Sequence, residues 1–134
     1  MATQISPMLA VSDPPAAIDF YKRAFGAAVR WQIGDPAEVA GLSIDGAEFF
    51  LAQETPSRGT RSPDGAGHTT VRIELFVDDP RAVFETAIAA GAHERSAVTE
   101  HEDAIARSRA PMRMLQGSVA DPFGHIWLIG KFLD

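Results

Sequence analysis

Four histidines and one closely spaced arginine–glutamate pair offer the most chemistry in this chain. Arg72 and Glu74 stand two residues apart, so on an extended strand both side chains project to the same side. There they could neutralise each other as a salt bridge. Alternatively, Arg72 could hold a ligand carboxylate, phenolate or carbonyl while Glu74 accepts a hydrogen bond. A glutamate in apolar surroundings would titrate above its usual range and could act as a general base. His101-Glu102-Asp103 is a local run of metal-competent side chains, of a kind that ordinary polar loops also carry. His125 follows Gly124, and strand alternation sets it beside Trp127 and opposite Ile126 and Leu128. Its expected role is a structural hydrogen bond. His68, at a loop–strand junction, reads as an exposed residue that could reach the mouth of a site. His93 follows a helix stop and reads as solvent-exposed.

These residues sit in a chain of 134 with 46% hydrophobic and 22% charged residues, the proportions of one soluble globular domain. No run approaches the roughly 18 apolar residues of a membrane span, and the first five residues lack a signal pattern, so a cytoplasmic protein without a membrane partner is expected. The absence of cysteine excludes disulfides, thiolate metal sites and a cysteine nucleophile. A net charge of −6 argues against nucleic acid as partner. It mildly favours a neutral or cationic small ligand, although an acidic surface mostly serves solubility.

The elements that must position these side chains come in a repeated order. Residues 5–11 read as a strand, and Ser12-Asp13-Pro14-Pro15 opens a helix, with a capping side chain and proline in the first turn. Ala17, Ile18, Tyr21, Ala24 and Phe25 recur at helical spacing until Gly26 stops it. Residues 29–33 form the next strand. Residues 41–44 and 47–53 form a hairpin across Asp45-Gly46. Residues 55–67 (TPSRGTRSPDGAG) have no periodicity and read as a mobile loop or linker. The pattern then returns: a strand over residues 68–77, a helix opened by Asp78-Asp79-Pro80 and stopped by Gly91, a strand over residues 96–99, and a polar segment over residues 100–109. Last comes a hairpin of residues 112–119 and 125–129 across Asp121-Pro122-Phe123-Gly124. In that turn Asp bonds its own backbone two residues on, Pro presets φ, and Gly supplies a positive φ.

The chain thus reads β-α-β-β-β twice, module one over about 1–54 and module two over about 68–134, joined by the linker 55–67 in a single domain. Neither half has residues enough to bury its own sheet face and helix. Together they predict an α+β fold with a curved mixed sheet, the helices on its outer side and an open concave cup.

Three segments, MLAVSDPPAAIDFYKRAFGA, IELFVDDPRAVFETAIAAGA and VADPFGHIWLIGK, resemble the vicinal oxygen chelate superfamily of glyoxalase I, bleomycin-resistance proteins and extradiol dioxygenases. The DPFGH-x-W ending is most similar to the small PhnB-like group. The resemblance implies paired βαβββ modules, and a homodimer with cups at or near the subunit interface, often with exchanged modules. In the superfamily's enzymes it also implies a divalent metal held by His or Glu at four strand positions. Those positions fall here on Ser6, Phe50, Arg72 and Leu128. Phe and Leu cannot ligate, and Arg is a fixed cation, so no cofactor is expected and a divalent metal is disfavoured.

If the family register holds, the cup face carries Ser6, Met8, Glu48, Phe50, Arg72, Glu74, Phe76, Ile126 and Leu128, with Trp31 adding an aromatic wall for a planar ligand. Residues 55–67 and 100–109 would be its lids. A mainly apolar lining with a few orienting charges suits a small-molecule pocket. The expected function is metal-independent binding of a small hydrophobic or aromatic molecule, of the drug-sequestering kind. The rival is a lyase, isomerase or dioxygenase of the glyoxalase type, using a metal from other positions or Glu74 as base.

Overall fold

Two helices begin by the same device. The Asp13 and Asp79 carboxyl groups accept hydrogen bonds from the backbone N–H of Ala16 and Ala82, each at 3.1 Å, with proline at the start of the helix. The cap satisfies N–H groups that have no partner inside the helix. The helices so started are α1 (Pro14–Phe25) and α3 (Pro80–Ala90). At Gly26, φ is +67°, a left-handed conformation that ends α1 without the penalty a Cβ would bring.

The computed structural model describes residues 1–103 and 112–133, with the side chains of residues 103 and 112 left aside. Around α1 lie β1 (Met8–Val11), β2 (Ala28–Ile33), β3 (Val39–Ile44) and β4 (Ala47–Gln53). After a connecting stretch that holds the short α2 (Pro63–Ala66) come β5 (Arg72–Phe76), α3, β6 (His93–Asp103), β7 (Met112–Ala120) and β8 (Ile126–Leu133). The predicted α+β arrangement of two βαβββ modules is the one observed. Its eight strands divide between two four-stranded sheets, ordered β1-β4-β3-β2 and β5-β8-β7-β6. In each, the first strand runs parallel to the last of its module and the other pairings are antiparallel.

Several boundaries differ from the expected ones for local reasons. β5 starts at Arg72 rather than at residue 68, because the Thr69 hydroxyl donates to the Val71 carbonyl at 3.1 Å and turns the backbone away. The first four residues of the expected polar lid, Glu100 among them, continue β6 and pair with β7. Residues 104–109 of that lid lie outside the described residues. The stretch 55–67, expected as a plain loop, holds a 3-10 turn over Pro56–Arg58 as well as α2. Ser62 pins it: this residue is fully buried, its N–H donates to Glu54 Oε1 at 2.8 Å, and its one hydroxyl hydrogen is shared between Asp64 Oδ1 at 2.5 Å and the Phe123 carbonyl at 2.9 Å.

The two modules share one core. Tyr21 and Phe25 of α1, Phe49 of β4 and Trp127 of β8 meet there, with the Trp127 ring 5.5, 4.8 and 5.4 Å from those of Tyr21, Phe25 and Phe49. Burying each such ring contributes on the order of 2–3 kcal/mol. A buried carboxyl group locks the seam. Asp121 Oδ2 accepts from the Tyr21 hydroxyl at 2.5 Å and from Trp127 Nε1 at 3.0 Å. Its Oδ1 accepts the N–H groups of Phe123 and His125 at 2.9 and 3.0 Å, which is the turn chemistry the DPFG motif predicts. His125 is buried, and its Nε2 donates to the Ala10 carbonyl at 2.7 Å, the expected structural role.

Candidate functional site

Alternation along each strand leaves every sheet with a second face that the shared core does not use. On the first sheet, register aligns Met8, Phe50, Gly41 and Trp31 in one row across β1, β4, β3 and β2. A Cβ on Gly41 would sit 2.3 Å from Trp31 Nε1, so the indole lies flat over the Gly41 backbone. That lets it reach Phe50, the ring centres being 5.0 Å apart. Glu48 is exposed on the same strand as Phe50. The row is an aromatic platform with a carboxylate at its margin.

The second sheet differs. Arg72 pairs with Ile126 and Glu74 with Leu128 on the neighbouring strand. Arg72, Glu74 and Leu128 line an open cavity of about 710 Å³, together with His101, Met114 and Gln116. Glu102 also lines this cavity. Of the two roles open to the pair, the Arg72–Glu74 salt bridge does not form. Gln116 Nε2 donates to Glu74 Oε1 at 3.3 Å, and Arg72 has no hydrogen-bond or ion-pair partner among the described residues. Glu74 is solvent-exposed, so the described residues do not supply the enclosure that a general base would need. Phe76, at the far end of β5, stacks on Phe132 at 5.1 Å instead of lining the cavity.

The six residues singled out from the sequence therefore fall into separate groups: Trp31 and Phe50 in contact on the first sheet with Glu48 on the same strand, Arg72 and Glu74 in one cavity, and Phe76 apart from both. Sequence reasoning missed Gln116 and Met114. The signal was there in β7, where Met114, Gln116 and Ser118 alternate with Leu115, Gly117 and Val119, the parity that places them on the Leu128 side. His101 was considered only as part of a metal-binding run. Its Nε2 lies 3.2 Å from both Thr99 Oγ1 and the Gln116 carbonyl, while the side chain of Asp103 falls outside the described residues.

The metal that the resemblance implies can be tested on the donor set. Ser6 precedes β1, Phe50 packs on Trp31, and Arg72 and Leu128 lie on the other sheet. A phenyl ring and an isobutyl group carry no donor atom, and the guanidinium repels a cation. These residues do not fit a divalent metal. Among the described residues, no three His, Asp or Glu side chains come together as a potential metal group.

The strongest titration effect belongs to the shared core rather than to either bare face. Burial pushes the Tyr21 hydroxyl well above its usual range, and the neighbouring Asp121 carboxylate adds to the shift. Among the described residues no helix is long and apolar enough to cross a membrane.

Comparison with known proteins places this geometry in context. Residues 4–129 match the Glyoxalase/Bleomycin resistance protein/Dioxygenase superfamily. An uncharacterized protein of Mycobacterium bovis is 38% identical over 133 residues, covering 95% of this chain and 82% of its own. One from Mycobacterium tuberculosis H37Rv is likewise 38% identical, over 95% of this chain and 73% of its own. Among solved structures, TioX from Micromonospora sp. ML1 aligns with a TM-score of 0.69 at 22% identity, covering 98% of both chains. A glyoxalase-related enzyme from Fulvimarina pelagi aligns with a TM-score of 0.65 at 20% identity, over 97% of this chain and 88% of its own. At these identities the solved structures share the fold.

Proposed function

Because the chain belongs to the Glyoxalase/Bleomycin resistance protein/Dioxygenase superfamily, we propose that it is a metal-independent binder of a small hydrophobic or aromatic molecule, of the drug-sequestering kind and nearest the PhnB-like group. The observation that carries this reading is Arg72. It is a cation with no protein partner among the described residues, set in a cavity of about 710 Å³ beside the apolar Leu128 and Met114. A side chain so placed is ready to orient one oxyanion or carbonyl of a ligand whose body rests on apolar surface. The Trp31–Phe50 platform supplies a flat aromatic surface for the same kind of molecule.

The same reading includes a cytoplasmic homodimer. Met8, Ile33, Phe76 and Phe132 are each half-exposed or more, and Met8, Phe76 and Phe132 lie on strands whose other sides pack into the core. Apolar surface of this extent calls for a cover. A second copy that lays its polar face over the aromatic platform would complete a cup that neither sheet encloses alone. Trp31 fluorescence, titrated with a panel of hydrophobic and aromatic molecules, tests the function. A saturable change that persists in chelator-treated protein is expected. If no member of the panel perturbs Trp31, and none shifts the backbone amides of Arg72, Gln116 or Leu128, the binding reading fails. Sedimentation at micromolar concentration should give twice the chain mass, and a monomer there removes the dimer.

A further inference from the structure

A second cavity, of about 530 Å³, opens where the free edge of β1 faces residues 59–71. Among the described residues it meets the Arg72 cavity at Thr70 and Val71 alone, which line both. Its body is apolar, made by Leu9, Ala10, Pro63, Val71 and Ile73 among others. Among the described residues its charged or titratable walls are Arg61, His68 and His125, with no Asp or Glu, in a chain with 18 acidic and 12 basic residues. The local sign is opposite to that of the whole chain. The Arg72 cavity, by contrast, contains both Glu74 and Glu102.

The two nearby carboxyl groups are committed elsewhere. Glu54 accepts the Ser62 N–H at 2.8 Å, and Asp64 accepts the Ser62 hydroxyl at 2.5 Å and the Gly65 N–H at 2.9 Å. Arg61 and His68 have no hydrogen-bond or ion-pair partner among the described residues. The β1 edge adds donors. Pro7 and Val11 turn their carbonyls to β4, where Phe50 and Glu54 donate to them at 2.8 Å, so the alternate residues Met8 and Ala10 present their polar groups to the free edge. On that edge the Ala10 carbonyl is taken by His125, and the backbone N–H groups remain. A carbonyl only accepts, so His125 Nε2 carries the hydrogen.

We infer that this seam between the modules is a second binding site, for a small molecule with an apolar body and a single carboxylate-type anion held by Arg61 and the β1 edge. It is independent of the Arg72 face and needs no metal.

Backbone-amide NMR of the full chain, titrated with octanoate and separately with the uncharged octanamide, tests it. Octanoate should shift the amides of Leu9, Ala10 and Val71 and bind about tenfold more tightly than octanamide. Arg61→Gln, at an exposed position where folding is not at stake, should remove that difference while leaving octanamide binding unchanged. His68→Gln should weaken octanoate by a smaller factor, and Arg72→Gln should leave the seam titration as it was. Equal affinity for the two probes, or an unchanged octanoate affinity in Arg61→Gln, overturns the proposal. Shifts confined to Gln116 and Leu128 and lost in Arg72→Gln would assign the anion to the sheet face instead, which leaves the proposed function standing while the seam site falls.

Discussion

Across the first sheet the bare face runs Met8, Phe50, Gly41, Trp31; the corresponding row of the second runs Glu74, Leu128, Ser118, Ser96. Strand order, pairing sense and helix N-caps are the same in both halves. What differs is the content of that row, apolar and aromatic in one half and carrying a carboxylate and two hydroxyls around Leu128 in the other, whose own aromatic pair, Phe76 and Phe132, lies beyond it. The hairpin turns diverge in a related way. Asp45-Gly46, with φ of +49° and +88°, closes β3–β4 as an exposed local turn. The turn that joins β7 to β8 buries Asp121 and ties α1 of the first module to β8 of the second. A repeated backbone is held by inward residues and caps. The residues free of that duty carry whatever chemistry distinguishes the halves.

The largest test of this contrast is between the two tryptophans. Trp127 is 1% exposed and Trp31 39%. Trp127→Ala should cost about 3–5 kcal/mol in urea unfolding, and Trp31→Ala about 1 kcal/mol. Comparable losses would mean that the platform is part of the folding core. The two turn aspartates come next. Asp121→Ala strands the Tyr21 hydroxyl and the Trp127 N–H in a buried seam and should cost about 3 kcal/mol, whereas Asp45→Ala should cost under about 1 kcal/mol. Equal effects would remove the distinction drawn between the two turns.

Tyr21→Phe sharpens the same point at smaller scale, with an expected loss of about 1–2 kcal/mol at neutral pH. It also carries a pH signature. The native state keeps the Tyr21 proton to a pH well above the unfolded value of about 10. Above about pH 10 the unfolded chain therefore binds fewer protons than the native one, and stability falls as pH rises further. The contribution is fully present below that pH. Since Tyr21 is the one tyrosine in the chain, the difference between wild type and Tyr21→Phe in thermal unfolding across pH 9–11 isolates it. Parallel pH profiles for the two proteins would contradict the buried neutral hydroxyl.

Most of the frame was legible in the sequence because the signals were local. The Asp-Pro helix starts, the Gly stops, the Asp45-Gly46 turn and the DPFG turn each act through their own backbone. What was not legible depends on contacts distant in sequence. Nothing near Asp121 announces Tyr21, 100 residues away, as its partner. Ser62 reads as a loop residue until Glu54 and Phe123 are seen around it. The site was readable as a parity but not as a place. Alternation put Arg72 and Glu74 on one side of β5, while Gln116 rather than Arg72 donates to Glu74. Phe50 and Trp31 were read into the same cup because the register of one strand says nothing about how two sheets stand to each other.

The smallest effect on stability should come from Arg72→Gln, within about 0.5 kcal/mol of wild type, because Arg72 is exposed and without a partner among the described residues. That near-neutrality makes Arg72 the most direct handle on the central claim. Chelator-stripped wild-type and Arg72→Gln proteins would be titrated with anilinonaphthalene sulfonate, an aromatic anion that brightens on apolar surface. The account predicts saturable binding to the stripped wild type, unchanged on adding divalent metal, and about tenfold weaker in Arg72→Gln. Binding that appears only with added metal, or that Arg72→Gln leaves untouched, would contradict it.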